Sequence, residues 1–247
     1  MYLQVQALVL RVTDYNDRDA LLTLLTRRHG KLTVKARGLR RKNSPLIAPC
    51  QLLAFSEFTL FEYRGMYTIN EAASIELFRG LQRDLTKLSM GSYFAQAAEV
   101  LSQEDLPNPE LLSLLLNSLH VLCAGTVPEA QVKAVFELRS ACIAGYTPDL
   151  SGCCQCGREE ADRFDILAGR LECADHRSPD SAGIRMPLTA GILAAMRYIC
   201  FSDPKRLFSF TLGEDSLAAL GGITESYLTT QLERGFSALD FYKSLLI

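Results

Sequence analysis

Three cysteines and one histidine offer the clearest chemistry in the chain. Cys153 and Cys156 form a C-x2-C pair, Cys173 and His176 form a C-x2-H pair, and sixteen residues lie between the two pairs. Thiolate sulfur and imidazole nitrogen are the donors of tetrahedral zinc, and two donors at this spacing sit on one tight turn facing the same way. Two such turns brought together make a four-coordinate site, and the spacing is close to the two-knuckle zinc pattern. The competing account of any cysteine is a small buried apolar side chain. It serves for Cys50, Cys123, Cys142 and Cys200, each in an apolar run. It does not explain two pairs that bracket a short polar hairpin. Cys154 is the odd thiol, able to replace Cys153 or Cys156 only at a poorer spacing. With Cys153, Cys156, Cys173 and His176 all bound, no position is left open, so the expected ion is a structural Zn2+, one per chain.

A second set of residues offers electrostatic chemistry. Arg27, Arg28, Lys31, Lys35, Arg37, Arg40, Arg41 and Lys42 fall within sixteen positions that hold no acidic residue. Strand alternation would put Lys31, Lys35 and Arg37 on one face, with the Arg40-Arg41-Lys42 loop adding to it. Such a row neutralises phosphates and binds nucleic acid largely without regard to sequence. The bland account is a solvated surface. Tyr15, Phe61, Tyr63 and Tyr67 are candidates for stacking on bases, although aromatic strand residues more often serve a core.

Residues 1–80 carry 12 Lys/Arg against 7 Asp/Glu, while the remainder carries 14 against 21, so a formal net charge of −2 conceals halves of opposite sign. The N-terminal part is expected to face a polyanion. A composition 48% hydrophobic and 22% charged over 247 residues is that of a globular chain with a sizeable core. No apolar run reaches the roughly 18 to 20 residues of a membrane span. The N-terminus has no basic n-region or cleavage site, which predicts a reducing cytoplasm, where paired cysteines favour metal over disulfide.

Elements that could position these groups follow from periodicity. Leu3 to Val12, Ala20 to Thr26, Lys31 to Ala36, Leu52 to Tyr63 and Met66 to Leu77 read as five strands in about 80 residues, which suggests an OB-fold barrel. From Gly80 the period becomes 3.6. Helices are expected over 84–102, over 109–124 with Asn108 as N-cap, over 129–144 after Thr126 or Val127, and over 189–200. Shorter helical turns fall at 217–220 and 224–233, and a last helix at 236–247. A hairpin through Phe164 and Leu171 lies between the two metal-binding turns, and a polar loop runs from Arg177 to Gly183. The predicted fold is therefore α+β: an OB domain over 1–79, then a helical domain over 80–247 with a zinc-binding insert at 150–178.

Nucleotide-binding, zincin and hydrolase motifs are absent, and His29 and His120 read as structural or surface residues. A zinc-dependent hydrolase would need an open metal position and a base. Asp165, Glu172 and Asp175 are available, but in a polar hairpin they are expected to be solvated. A protein-interaction module whose basic face binds acidic partners is the other alternative.

The order of parts resembles the bacterial recombination mediator family RecO. Ala7 to Leu10, Tyr15 to Asp19, Leu24 to Thr26 and Gly30-Lys31 resemble its first strands. Lys35 to Gly38 with Arg40 to Ser44 resembles its basic segment, and Leu228 to Leu246, with Tyr242-Lys-Ser244, its last helices. The resemblance implies a non-enzymatic role in DNA repair and recombination. It implies binding of single- and double-stranded DNA, strand annealing, contact with the C-terminal tail of single-stranded-DNA-binding protein, and, with RecR, loading of RecA. It also implies a cytoplasmic, nucleoid-associated location. DNA binding is carried onto Arg27, Lys31, Lys35, Arg37, Arg40, Arg41 and Lys42. His176 stands where some relatives have Cys, and some lack the metal site. Arg139, Arg197 and Arg234 are named as a basic rim for the partner's tail.

Overall fold

A computed structural model describes residues 1–176 and 183–246. Five strands, β1 (Tyr2–Asp14), β2 (Ala20–Thr26), β3 (Lys31–Ala36), β4 (Phe55–Tyr63) and β5 (Met66–Glu76), close into a barrel in the order β1-β2-β3-β5-β4. All neighbours run antiparallel except β3 and β5, which pair parallel with Lys35 opposite Thr68. Inward residues include Val5, Ala7, Leu24, Val34, Phe58, Leu60 and Ile69, all buried. β1 is buried on both faces from Ala7 to Leu10, because helix α1 (Leu85–Leu101) packs on it. The fourth strand starts at Phe55 rather than Leu52, since Leu53 adopts a left-handed φ of 65° in the preceding turn.

Gly30 closes the β2–β3 turn at φ +63°, and a Cβ there would lie 2.5 Å from the Leu106 carbonyl oxygen. Only glycine allows both the conformation and the approach.

Packing groups the chain into two compact units. One compact unit is 1–124 with 236–247, the other 125–235. In the first, α1, α2 (Pro109–Ala124) and α6 (Ser237–Ser244) accompany the barrel. Gln96 Nε2 donates to Ser237 Oγ at 2.9 Å, and the Tyr93 and Phe236 rings meet edge to face. Periodicity locates the change from strand to helix but not which apolar faces cover each other. Asn108 Oδ1 accepts from the Leu111 amide, with Pro109 at the first position of α2.

The second unit holds α3 (Glu129–Ile143), α4 (Ala190–Phe201) and α5 (Glu214–Gln231). Pro128 occupies the N-cap of α3, with no side-chain cap from Thr126 or Val127. α5 is one continuous helix where two separate turns were expected. Gly221 and Gly222 cost about 1 kcal/mol each in a helix, but burial of Leu217, Leu220, Ile223, Tyr227 and Leu228 outweighs them. Lys133 is buried between Glu137 and Glu225, at 2.8 Å from each. Burial pulls its ammonium down, yet the two carboxylates leave it raised and charged.

Inserted between α3 and α4 is a small sheet in the order β6-β8-β7-β9, made of Asp149–Cys153, Arg170–Glu172, Arg163–Asp165 and Arg185–Pro187. The polar loop from Arg177 lies outside the described residues as far as Ala182, as does Ile247.

Candidate metal centre and nucleic-acid interface

The parallel pairing of β6 and β8 brings the two halves of the Cys/His set together, with Cys153 opposite Leu171. Cys153 ends β6, and the Gly157 amide returns to the Cys153 carbonyl at 2.8 Å to close the first turn. Gly152 is required beside it, since a Cβ there would meet the Gly157 and Arg158 carbonyl oxygens at 2.6 and 2.9 Å. Cys173 follows β8, and the His176 amide donates to its carbonyl at 3.0 Å in the second turn.

The four donor atoms lie within 4.8 Å of one another. Cys156 and Cys173 sulfurs are 3.8 Å apart, and His176 Nδ1 is 3.3 Å from the Cys173 sulfur and 4.0 Å from that of Cys153. Zinc bonds of about 2.3 Å to sulfur and 2.0 to 2.1 Å to nitrogen imply tetrahedron edges of about 3.8 and 3.6 Å. Cys153, Cys156, Cys173 and His176 therefore fit a four-coordinate metal ion. The amides of Gln155 and Cys156 aim at the Cys153 sulfur and bring its thiol down to about 6, whereas burial pushes the Cys173 thiol up. A cation replaces the remaining protons, so metal binding weakens as pH falls. Cys154 is exposed and outside the cluster, its amide donating to the Leu171 carbonyl.

The nearby carboxylates are not solvated as expected. Glu172 is buried and accepts from Arg185 Nε at 2.8 Å. Asp165 is buried too, 3.4 Å from Arg185 Nη2, and its other oxygen accepts the Leu167 and Ala168 amides. Both lock the hairpin rather than serve a metal-bound water. Asp175 is exposed as expected, but pairs with Arg158. Arg185 had no signal in the sequence, because its two partners lie thirteen and twenty positions away.

Two of the arginines named as a rim are structural. Arg139 donates to the Ile199 and Cys200 carbonyls at the end of α4, and Arg197 to those of Leu150, Ser151 and Glu159. Both guanidiniums are thus anchored on backbone carbonyls, while Arg197 also borders a cleft of about 380 Å³ with Pro148 and Phe201.

On the barrel, the basic run is continuous in sequence but not in space. Arg27 and Arg28 sit in the turn before β3, and Arg37, Arg40, Arg41 and Lys42 follow it. A six-residue strand, about 20 Å long, separates the groups. Lys31 and Lys35 do point outward, yet Lys31 Nζ donates to the Glu99 carbonyl at 3.1 Å, and Lys35 pairs with Asp19 at 3.2 Å over the Tyr15 ring. Arg40 pairs with Asp14 at 2.9 Å. Among the described residues Arg27, Arg28, Arg37, Arg41 and Lys42 have no ion-pair partner, and all are exposed.

Arg37 also borders a cleft of about 390 Å³ with Tyr2, Phe61, Tyr63, Met66 and Asn70. Tyr2 and Tyr63 are 62% and 61% exposed, and the Tyr2 and Phe61 rings touch at 5.3 Å. Phe61 and Tyr63 thus stand at the surface, while Tyr15 is exposed under Lys35. Tyr2 escaped the sequence reading because nothing in its spacing separates a cleft residue from a frayed strand end.

Asp19 anchors the basic loop. It accepts from the Gly38 amide, from Asn16 and from Lys35, and these bonds lower its carboxyl from 3.8 to about 2. A depressed carboxyl contributes stability above its unfolded value, and this is lost as pH falls through the folded value. The Gly38 anchor is expected to be intact above about pH 4 and to release toward pH 2. A Gly38 amide resonance that titrates with a midpoint at 3.8 or higher would refute it.

Family models agree with this architecture. "Recombination protein O N terminal" matches residues 1–78 and "Recombination protein O C terminal" matches 82–240. The chain belongs to the RecO family. It is 32% identical over 246 residues to the DNA repair protein RecO of Acetivibrio thermocellus, covering 99% of this chain and 97% of the relative. The RecO of Heliobacterium modesticaldum is 34% identical across 96% of the chain and 89% of its own length. That of Bacillus subtilis is 28% identical across 92% and 88%. RecO family members are thus named for DNA repair, not for a catalysed reaction. Among the described residues no helix is long and apolar enough to cross a membrane.

Proposed function

We propose that this RecO family chain is a non-enzymatic DNA-binding mediator of recombination and repair that works in the cytoplasm at the nucleoid. It binds single- and double-stranded DNA on the barrel, anneals complementary strands and, with RecR, promotes RecA loading on DNA coated by single-stranded-DNA-binding protein, whose C-terminal tail it contacts. The observation that carries the DNA reading is the joining of Arg37, from the unpaired cations, to a cleft with exposed Tyr2, Phe61 and Tyr63. Cations neutralise phosphate and exposed rings stack on unpaired bases, the two elements of single-strand recognition. Of the basic residues, Arg27, Arg37, Arg41 and Lys42 meet phosphates directly. Lys35 and Arg40, held by Asp19 and Asp14, shape the loop, Lys31 is held on the Glu99 carbonyl at the other end of β3, and all three raise the local potential. The RecR and tail contacts, strand annealing and RecA loading rest on the family resemblance. The metal is Zn2+, held by Cys153, Cys156, Cys173 and His176 as a clamp on the hairpin; bound, it supplies structural cross-linking and no reaction. The proposed domains remain an OB domain over 1–79 and a helical domain over 80–247 with the zinc insert at 150–178.

Titration of a single-stranded oligonucleotide across ionic strength tests this reading. Affinity is expected to fall steeply with salt, and Tyr2→Ala with Tyr63→Ala to weaken single-strand binding about tenfold or more, from a stacking contribution of about 1–3 kcal/mol per base. Duplex binding should change little. No binding at low salt would leave an interaction module for acidic proteins.

A further inference from the structure

The metal ligands do not absorb all the cysteine chemistry of the second unit. Cys142 lies in the last turn of α3 and Cys200 in the last turn of α4. Their sulfurs are 3.6 Å apart and share a hydrogen bond. Both are free thiols; Cys142 is half-buried and Cys200 is buried. We propose that Cys142 and Cys200 form an oxidation site, at which a hydroperoxide converts the two thiols into a reversible disulfide.

Several features converge on the pair. A disulfide needs its sulfurs at about 2.05 Å, so closure requires a shift of about 1.5 Å at two helix ends rather than a rearrangement. Arg139 holds the Cys200 carbonyl, which places a guanidinium beside both sulfurs. The sulfur–sulfur contact with Cys200, aided by Thr147 and Arg139, holds the Cys142 thiol down, and the same contact together with burial pushes Cys200 up. Tyr227 is buried near the two sulfurs with its hydroxyl on the Tyr146 carbonyl, and it is itself pushed up to about 12 by burial and by them. The half-buried Cys142 is the thiol that a hydroperoxide reaches from solvent, and the buried Cys200 resolves.

The chemistry balances. The Cys142 thiolate attacks one oxygen of the hydroperoxide, the O–O bond breaks, and the leaving oxygen takes up a proton as water or an alcohol. Cys142 becomes a sulfenic acid. Cys200 then loses its proton and attacks that sulfur; an S–S bond forms and the hydroxyl leaves as water. Two thiols lose two electrons in all, and the peroxide gains them. A small thiol restores the pair by exchange.

The pair has a structural consequence. Its members are 58 positions apart, and the segment between them contains the whole metal hairpin. Arg197, one turn before Cys200, already holds the carbonyls of Leu150, Ser151 and Glu159. Oxidation therefore staples the base of the hairpin where α3 and α4 end.

The test treats the full chain, with the metal it carries, with a few equivalents of hydrogen peroxide, and maps peptides by non-reducing mass spectrometry. A cross-link between the Cys142 and Cys200 peptides is expected, with mass lower by two hydrogens, reversed by dithiothreitol, and with bound metal retained. The linkage should raise the apparent melting temperature by roughly 5–10 °C. In Cys200→Ser, or Cys200→Ala if the serine variant does not fold, dimedone should label Cys142. In Cys142→Ser it should not label Cys200. Retention of both thiols as free and alkylatable while Cys154 or the metal ligands oxidise would overturn the proposal, as would a cross-link joining another pair.

Discussion

Chelation of the metal, or Cys173→Ser, is expected to melt the hairpin and to lower the stability of the second unit by about 5 kcal/mol or more, a fraction of what structural zinc supplies in small domains. Three of the four strands in the hairpin sheet have only three residues each. Their core is little more than Leu150, Phe164, Ile166 and Leu171, too small to order the segment unaided. Arg185, Asp165 and Glu172 do not compensate, since buried ion pairs recover little beyond their desolvation. Oligonucleotide affinity should stay within about twofold, because the barrel has its own core and does not use the metal. Thermal melts by circular dichroism, metal analysis and binding on one sample check both halves. Loss of DNA binding in a metal-free chain that still melts cooperatively at the native temperature would contradict the assignment, as would unchanged stability in Cys173→Ser.

Arg37→Glu, Arg41→Glu and Lys42→Glu together are expected to weaken binding of any oligonucleotide by about two orders of magnitude at low salt. The slope of log K against log salt should become shallower by about 2 to 3, since each lost phosphate contact removes about 0.7 to 0.9. Three cations become three anions on a loop whose position rests on the Asp19–Gly38 bond, not on the replaced side chains. The fold should therefore be retained. Lys205→Glu, exposed in the second unit, is the matched control and should leave the slope unchanged. By contrast, Lys35→Glu would place a carboxylate against Asp19 and disturb the loop as well as the charge. A triple variant that binds with native affinity and slope would remove the basic loop from the interface.

Strand boundaries were legible to within a few residues because alternation is local: in β3, Leu32, Val34 and Ala36 are buried and Thr33 is exposed, as a period of two demands. The Cys/His quartet was legible for the same reason. A C-x2-C or C-x2-H turn holds both donors within four residues, and only the meeting of two turns had to be supplied by β6 and β8. α5 was read as two fragments because its glycines lower helix propensity, a weak preference that buried contacts overrode.

The sequence by itself determined which residue types were present in quantity and at what short spacing. It thereby set the barrel, the helices, the Cys/His quartet and the excess of cations before residue 80. The tertiary structure alone decided what those groups touch. It spent Lys31, Lys35 and Arg40 on Glu99, Asp19 and Asp14 and left Arg37 beside Tyr2 and Phe61. It locked Asp165 and Glu172 on Arg185, and set Cys142 against Cys200. The reason is physical. Periodicity and turn chemistry act over a few residues along the chain, whereas ion pairing, burial and thiol contact depend on distances through space between residues as far apart in sequence as Lys133 and Glu225, 92 positions.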